Sequence, residues 1–385
     1  MTQTVLLGDI CDVRDGTHDS PKPKDSGHPL VTSKHIKNYK IDFTTANLIS
    51  DEDFLAVNKR SKVDKNDILI SMIGTVGELA LIDYEPNFAI KNIGLIKTGD
   101  DLLGKYLFYY LQSTKAKQYI EASLAGSTQK FISLERLRKF PVELPDTEIR
   151  KRVVKILGTI DEKIELNRKM NETLEQMGQA LFRHYFIDNH EAGKWDDGTI
   201  ADLGKVITGK TPSKANAEYY GKDVMFLKVP DMHGQSIIIK TDDMLSIPGA
   251  DSQSKKYIPK WSTCVSCIAT VGVVSLAGEQ LQTNQQINSV IPKSREYTFF
   301  NYYLMHSKSE LLKTMASGGS ATPNLNKGHF EGIKIKMPPI KILNKFQSEA
   351  ESLLITVDAN IRQIQTLTTI RDTLIPRLIS GKAKI

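Results

Sequence analysis

Cysteine pairs and carboxylate clusters are the first residues of this sequence whose spacing could support chemistry. Cys264 and Cys267 form a CxxC pair, but a structural zinc site needs four ligands, and no second pair or histidine cluster accompanies this one. Asp161 and Glu162 are neighbours in a helical pattern, so their side chains point in different directions and cannot share one metal ion. We therefore expect two buried, apolar cysteines and no metal site.

Motifs for nucleotide chemistry are also incomplete. An adenine methyltransferase needs a polar residue, two prolines and an aromatic ring in series, whereas Met337-Pro338-Pro339-Ile340 has neither the polar residue nor the ring. No glycine-rich fingerprint follows a strand, and Ser317-Gly318-Gly319-Ser320 lacks the lysine of a P-loop. The sequence predicts a protein that catalyses nothing and holds no cofactor of its own. The alternative is a fused or degenerate DNA methyltransferase or nuclease.

Polar side chains in predicted loops could instead bind duplex DNA. Hydroxyl, amide and lysine groups donate to phosphates, and the amides of Asn and Gln can bond adenine through two atoms. The candidates are Lys34, His35, Lys91, Asn92, Ser127, Thr128, Gln129 and Lys130 in the first half of the chain, and Lys210, Thr211, Lys228, Asn284, Gln285, Gln286, Ser320, Thr322 and Asn324 in the second. The alternative is that these residues are solvated turns and strand-end caps.

The elements that must position these loops occur twice. Five matches follow the same order in both halves: LG at 7–8 and 203–204, SMIGTVGELAL at 71–81 and SCIATVGVVSL at 266–276, GSTQKFIS at 126–133 and GSATPNLN at 319–326, FPVELP at 140–145 and IKIKMP at 333–338, and TIDEKIELNR at 159–168 and TVDANIRQIQ at 356–365. The offset is 193 residues at the prolines and 197 between Asp161 and Asp358, a difference of about one helical turn. These matches predict a tandem duplication.

Each repeat ends in a long helix with an apolar seam. The first helix is predicted to start near Thr147, with Asp146 as its N-cap. The seam residues expected to form a coiled coil or to dock a partner are Ile160, Ile164, Asn167, Asn171, Leu174, Phe182 and Phe186 in the first helix, and Val357, Ile361, Ile364 and Leu374 in the second. We predict that the two helices pack antiparallel, with one globular module held at each end of the resulting rod.

Two points about these helices stay open in the sequence. Asn167 and Asn171 either fix the register of the seam or face solvent where the seam drifts. The aromatic cluster of Phe182, Tyr185 and Phe186 either docks a partner or caps the helices against the second module.

The composition is that of a globular protein. Hydrophobic residues make up 40% and charged residues 25%, and no apolar run reaches the length of about 18 residues that a membrane span needs. Three cysteines are too few for a disulfide framework, so we expect the cytoplasm. The net charge of +6 is compatible with a polyanionic partner.

Over nearly its whole length the chain resembles the specificity subunit of a type I restriction–modification system. The residues that carry the resemblance are the LG pairs, GTVG at 74–77 and ATVG at 269–272, TNQQIN at 283–288, IDEKIELNRKMNETLEQMGQALF at 160–182 and LIPRLISG at 374–381. The implied fold is α/β (mixed α+β), with two tandem target recognition domains, two long helices packed as an antiparallel coiled coil, and a pseudo-two-fold internal repeat. The implied boundaries are 1–145 and 189–340 for the recognition domains, and 146–188 and 341–385 for the helical spacers.

The resemblance also implies the function and the partners. Each domain would read one half of an asymmetric, bipartite DNA site. The chain would recruit two modification (methyltransferase) subunits and the restriction subunits, and S-adenosylmethionine, ATP and Mg²⁺ would belong to those partners. A stand-alone DNA-binding scaffold with no modification partner is a further alternative.

Overall fold

The computed structural model describes residues 3–126, 129–317 and 323–381. The chain divides into two compact units, of which the first comprises Met1–Lys163 with Leu367–Ile385 and the second comprises Ile164–Thr366. Each unit therefore contains one repeat together with part of both long helices. No helix of the described residues is long and apolar enough to cross a membrane.

The first unit is built around a mixed set of small sheets. Its strands are β1 (Gln3–Leu6), β2 (Asp12–Asp15), β3 (His28–Val31), β4 (Ile36–Lys37), β5 (Lys40–Ile41), β6 (Asn47–Ile49), β7 (Ile68–Ser71), β8 (Leu79–Leu81), β9 (Ala89–Ile90), β10 (Ile93–Lys97) and β11 (Pro141–Leu144), and its helices are α1 (Leu7–Ile10), α2 (Asp51–Ser61), α3 (Asp101–Gln112), α4 (Thr114–Ala122) and α5 (Leu134–Arg138). An antiparallel sheet of order β2-β10-β7-β8 lies at its centre, and the others are β6-β3-β9, β4-β5 and β1-β11.

Burial explains why these segments take these conformations. All four residues of β7 are buried, as are the first four of β10, so both strands are apolar on both faces. Helix α3 fills the core with aromatic rings, and the hydroxyl of Tyr106 donates to the Glu143 carbonyl oxygen at 2.7 Å. The N-caps are the side chains expected for such ends: Asp100 accepts from the backbone N–H of Leu103 at 2.7 Å.

The first long helix, α6 (Thr147–Phe182), begins where the sequence predicts. The carboxylate of Asp146 accepts from the backbone N–H of Ile149 at 3.1 Å and caps it. The helix continues as a short π-helical turn, Arg183–Ile187.

The second unit repeats the plan of the first. Its strands are β12 (Asp196–Thr199), β13 (Gly204–Thr208), β14 (Tyr220–Leu227), β15 (Ile237–Ile238), β16 (Met244–Leu245), β17 (Thr263–Ser266), β18 (Val274–Ala277), β19 (Leu281–Thr283), β20 (Ile287–Pro292) and β21 (Lys334–Met337), and its helices are α7 (Val229–Met232), α8 (Ile247–Asp251), α9 (Thr298–Ser307), α10 (Ser309–Ala316) and α11 (Lys327–Glu331), followed by the second long helix α12 (Ile340–Ile379). Its sheets are β13-β20-β17-β18-β15, β16-β14-β19 and β12-β21.

Three of the four sheets that the structure describes in the first unit have counterparts in the second unit, which confirms the predicted duplication. The order β2-β10-β7-β8 matches β13-β20-β17-β18, and β6-β3-β9 matches β16-β14-β19. In the second unit a parallel strand, β15, is added beside β18. The GTVG and ATVG segments form the same turn, because Gly77 N–H donates to Ser71 O and Gly272 N–H donates to Ser266 O. Gly74 and Ala269 both take positive φ there.

The LG match at 7–8 and 203–204 is wrong by three residues. Leu7 donates its backbone N–H to Phe140 O, and the equivalent bond in the second unit is from Ile200 to Ile333 O. The true offset at this point is therefore 193 residues, as at the prolines. Gly204 instead opens β13, where a Cβ atom would lie 1.9 Å from Ile291 O.

Within the second unit the long helices run antiparallel and are joined by buried amides. Asn167 Nδ2 donates to Gln363 Oε1 at 2.7 Å, and Asn360 Nδ2 donates to Asn171 Oδ1 at 2.8 Å. Asn167 and Asn171 are buried, so they belong to the seam and do not face solvent. Of the other predicted seam residues, Ile164, Phe182, Phe186 and Val357 are buried, and Ile160, Leu174, Ile361, Ile364 and Leu374 are half-buried.

Within the first unit a buried arginine joins the two helices. Arg371 of α12 donates to Asp161 of α6 at 2.9 Å, and its guanidinium lies 5.1 Å from the centre of the Tyr39 ring. The hydroxyl of Tyr109 donates to the same carboxylate at 2.8 Å.

The aromatic cluster at the end of α6 caps the helices. Phe182 and Phe186 are buried, and the ring of Phe186 lies 4.8 Å from that of Phe300 and 4.9 Å from that of Phe346. Of the two alternatives left open by the sequence, their burial favours the cap over the docking patch. Tyr185 is half-buried, and its hydroxyl donates to Glu349 at 2.9 Å.

Candidate nucleic-acid interface

One end of the central sheet of the first unit gathers the predicted DNA-binding residues of that unit that the structure describes. Strands β2 and β7 end there and β10 begins there, since Gly94 pairs with Asp15 and Ile93 pairs with Ser71. The residues that follow β2 and those that precede β10 are therefore neighbours. We call this surface of the first unit, formed by residues 16–18, 32–34, 91–92 and 129–130, its polar edge.

Gly16 allows the loops of this edge to meet. A Cβ atom at this position would lie 2.6 Å from Ile90 O, so a larger residue would separate the loop after β2 from the segment before β10. Thr17 donates its backbone N–H to Ile90 O at 3.1 Å, and Asn92 donates its own to Thr17 O at 3.1 Å. Asn92 takes a φ of +54°, a conformation that asparagine tolerates.

The side chains of this edge are polar and partly fixed. His18 Nδ1 donates to Asn92 Oδ1 at 2.8 Å, and His18 Nε2 lies 3.0 Å from Asp15 Oδ2. Asp15 is itself buried and paired with Arg60. The ammonium of Lys91 donates to the hydroxyl of Ser20.

Lys34 and His35 differ in their exposure to solvent. Both lie in a 3-10 turn (Ser33–His35) that reaches the polar edge, because the Ser33 hydroxyl donates to Asn92 O at 3.4 Å. Lys34 is exposed, but His35 is buried and its Nδ1 accepts from the backbone N–H of Thr32 at 2.9 Å. Burial lowers the pKa of His35. His35 thus caps the turn, and its side chain is not available to DNA in this structure.

The loop with Gln129 and Lys130 lies beside the GTVG turn. Both side chains are exposed, and the carbonyl oxygen of Lys130 accepts from the backbone N–H of Gly74 at 3.2 Å. Ile132 donates its N–H to Met72 O at 3.0 Å, and Met72 directly follows β7, the strand next to β10. The loop therefore belongs to the same end of the sheet. Ser127, Thr128, Ser320 and Thr322 lie outside the described residues.

The second unit has the same construction with different side chains. Gly209 is the equivalent of Gly16, and a Cβ atom on Gly209 would lie 2.2 Å from Thr283 O. Lys210 donates its backbone N–H to Thr283 O at 2.9 Å, as Thr17 does to Ile90 O. Thr211 donates its hydroxyl to Gln285 Oε1 at 2.6 Å, which is the equivalent of the bond from His18 to Asn92. The polar edge of the second unit comprises residues 209–211, 228, 284–286 and 324.

Two other candidates of this edge, Asn284 and Lys228, already bond neighbouring side chains. Asn284 is buried and bonds Gln286 through both atoms of its amide, so the exposed amide of TNQQIN is that of Gln285. Lys228 forms an ion pair with Asp243. Asn324 is exposed and donates its backbone N–H to Ala316 O at 3.1 Å.

Lys228 stands where the first unit has Thr32. Lys228 N–H donates to Asp231 Oδ2 at 2.9 Å, as Thr32 N–H bonds His35. The caps of the two short turns are therefore built alike.

Sequence reasoning missed Thr17 and His18. The signal was present, because with the corrected offset of 193 residues Gly16-Thr17-His18 matches Gly209-Lys210-Thr211. The incorrect LG match concealed this pairing.

The CxxC pair has no ligand chemistry of its own. Cys264 and Cys267 are buried, which confirms their predicted packing role, and burial raises the pKa of each thiol to about 12. Among the residues that the structure describes, no group of three or more His, Cys, Asp and Glu side chains could hold a metal ion.

Comparison with known proteins places this two-unit architecture in a class. A family model described as type I restriction modification DNA specificity domain matches residues 2–176 and 192–370. The HindI specificity subunit of a type I restriction enzyme of Haemophilus influenzae is 33% identical over 413 residues, covering 87% of this chain and 90% of the relative. The MjaIX specificity subunit of Methanocaldococcus jannaschii is 24% identical and covers 98% of this chain.

A solved structure agrees with the fold. The S subunit of a type I restriction–modification system from M. genitalium aligns with a TM-score of 0.61 at 16% identity, over 98% of this chain and 96% of that subunit. Fold and matches together define a tandem, two-domain DNA specificity protein. The chain belongs to the type I restriction–modification specificity subunit family. Membership confirms the predicted function in DNA sequence recognition and the prediction that the chain is not an enzyme by itself.

Proposed function

We propose that the polar edge of each unit contacts one half of a bipartite DNA site. The observation that supports this proposal is the shared backbone frame of the two edges, which carries different side chains in the two units. Thr17, His18 and Asn92 of the first unit correspond to Lys210, Thr211 and Gln285 of the second. A common frame with different donors and acceptors suits two half-sites of different sequence.

Exposed lysines supply the charge that such an edge needs for phosphates. Lys34 and Lys130 are exposed in the first unit, and Lys210 is exposed in the second. Contacts of this kind position the protein on the duplex, and the amides of Asn92 and Gln285 then read base edges. The predicted domain boundaries, 1–145 and 189–340 for the recognition domains and 146–188 and 341–385 for the helical spacers, remain predictions. With these boundaries, each polar edge belongs to one recognition domain.

We also propose that this chain recruits modification and restriction subunits and that it does so in the cytoplasm. The relatives are named as specificity subunits of type I restriction enzymes, which supports the proposal that this chain acts together with other subunits. An exposed apolar stripe on α6, made of Leu166, Met170 and Met177, offers a docking face with the spacing of a helix seam. S-adenosylmethionine, ATP and Mg²⁺ would bind the partners and not this chain. Calorimetric titration of the purified chain with S-adenosylmethionine tests that assignment, and tight binding would contradict it.

The docking face is tested by co-purification with the modification subunit. We expect Met170→Asp to reduce the amount of subunit recovered, because a carboxylate on the stripe must be desolvated on docking. Gln176→Asp places the same charge at another exposed position of the same helix and serves as the matched control. Equal recovery with both variants would contradict the docking face.

The DNA interface is tested by charge reversal in the complex with the modification subunit. We expect Lys34→Glu to weaken binding to every duplex and to lower the slope of log affinity against log salt by about 1. Lys65→Glu is the matched control, because Lys65 is an exposed lysine of the same unit, beside Asp64 and Asp67 near the opposite end of β10. If Lys65→Glu weakens DNA binding as much as Lys34→Glu does, the polar edge is not the interface.

A further inference from the structure

The amides of Asn92 and Gln285 are each held from the side by a neighbouring residue. His18 Nδ1 donates to Asn92 Oδ1 at 2.8 Å, and Thr211 Oγ1 donates to Gln285 Oε1 at 2.6 Å. The two bonds join equivalent loops in the two units, although all four residue types differ. In both, a hydrogen-bond donor from the loop after the first sheet strand meets the oxygen of the amide before the central strand.

A hydrogen bond on one side of an amide restricts the rotation of that amide. In this structure the neighbour lies against the amide oxygen, so the NH2 group is directed to the other side. The major-groove edge of adenine offers an N7 acceptor beside an N6 donor, and an amide in one fixed orientation matches that pair. An amide held in advance also loses less side-chain freedom when DNA binds.

The holding residues are themselves anchored. His18 Nε2 lies 3.0 Å from Asp15, and the buried Asp15 carboxylate is paired with Arg60. Thr211 follows Lys210, whose carbonyl oxygen accepts from Gln253 Nε2 at 2.8 Å. Gly16 and Gly209 let the loops approach closely enough for both bonds.

We propose that His18 and Thr211 are positioning residues for specificity, which orient Asn92 and Gln285 as adenine-reading amides, one in each half-site. This inference rests on the proposed function of the polar edges. It goes further, since it assigns a base type and separates the residues that read from those that orient.

The test selects bound sequences from a randomised duplex library with the chain in complex with its modification subunit. Asn92→Ala should lower discrimination at one adenine position of one half-site by roughly 10- to 100-fold. His18→Ala should relax the same position by about 3- to 10-fold, the size expected from freeing one side chain. In the double variant with Asn92→Ala, His18→Ala should cause no further loss of discrimination at that position. Gln285→Ala and Thr211→Val should repeat this behaviour in the other half-site, so each variant's unaltered half-site is its internal control.

Other outcomes overturn the inference in distinguishable ways. If Asn92→Ala relaxes one position but His18→Ala leaves that position unchanged, the edge reads DNA and His18 does not orient the amide. If the two effects add in the double variant, His18 contacts DNA independently of Asn92. If neither Asn92→Ala nor Gln285→Ala changes any position, the proposed interface fails together with the inference. His18 is exposed and Thr211 half-buried, and thermal unfolding of each variant verifies that the fold is retained.

Discussion

Two glycines of α6 should respond in opposite ways to the same substitution. A Cβ atom on Gly178 would lie 1.8 Å from the Tyr303 hydroxyl oxygen and 2.5 Å from its Cζ, whereas on Gly158 the nearest atom is the Tyr109 hydroxyl oxygen at 3.9 Å. Each glycine thus stands opposite a tyrosine of its own unit. Gly178 provides space for the Tyr303 ring in the core of the second unit, whereas a Cβ atom on Gly158 would make only an ordinary van der Waals contact.

The size of each effect follows from packing and helix propensity. Alanine in a helix interior is favoured over glycine by about 1 kcal/mol, so Gly158→Ala should raise the free energy of unfolding by roughly 0.5–1 kcal/mol. At Gly178 the Tyr303 ring would have to move among Phe182 and Phe346, whose ring centres lie 6.2 and 5.9 Å away. Overpacking of this kind costs about 1–3 kcal/mol and exceeds the propensity gain. We expect Gly178→Ala to lower the free energy of unfolding by about 1–2 kcal/mol.

Urea unfolding measures both changes. Far-ultraviolet circular dichroism follows the whole chain, and tryptophan fluorescence follows the second unit, because Trp195 and Trp261 both lie in it. Tyr303→Phe removes the atom nearest to the new Cβ and should restore part of the stability lost in Gly178→Ala. The reasoning about α6 is refuted if Gly178→Ala is as stable as Gly158→Ala.

Three further outcomes are expected. Asn171→Leu alone should destabilise the second unit by about 1–3 kcal/mol in urea unfolding because it leaves the buried Asn360 amide without its partner, whereas Asn171→Leu with Asn360→Leu should be nearly neutral; equal losses would contradict a buried polar pair. The three cysteines should stay unreactive towards a thiol reagent until the chain unfolds, since burial raises the pKa of each thiol to about 12; rapid labelling of the native chain would contradict their burial. Burial lowers the pKa of His35 in the folded state, so the contribution of His35 to the free energy of unfolding should be complete above about pH 6.5 and should fall as the pH decreases from there through the folded-state pKa. The free energy of unfolding should therefore decrease less with falling pH in His35→Gln than in the unaltered chain. An equal decrease in both proteins would exclude the effect.

Periodicity and internal repetition were enough to predict the large elements. The start of α6 after Asp146, the second long helix and the duplicated modules follow from patterns that extend over tens of residues. The two-letter LG match carried too little information, because Leu7 opens a helix and Gly204 opens a strand. The open question at Asn167 and Asn171 needed the structure, since burial of a helix face depends on which face the partner helix covers.

The candidate site was predicted in part. Polar residues before β10 and β20, and Lys210 and Thr211 after β13, were found because exposed amides and lysines are visible in the sequence. Thr17 and His18 after β2 were missed, because β2 lies far from β10 in the sequence although the two strands are neighbours in the sheet. Polarity alone could not separate Lys34 from His35, because His35 folds back to cap its own turn. For the same reason Asn284 resembles a reading residue in sequence but is buried as a turn-forming residue.

A map of methylated adenines is the most direct test of the claim that each unit reads one half of a bipartite site. It would be measured in cells that carry the modification subunit with the unaltered chain, with Gln285→Ala, or without the chain. The account predicts one two-part motif that disappears without the chain and that, with Gln285→Ala, loses specificity in one half only. A methylation pattern that does not depend on the chain, or a change spread over both halves, would contradict it.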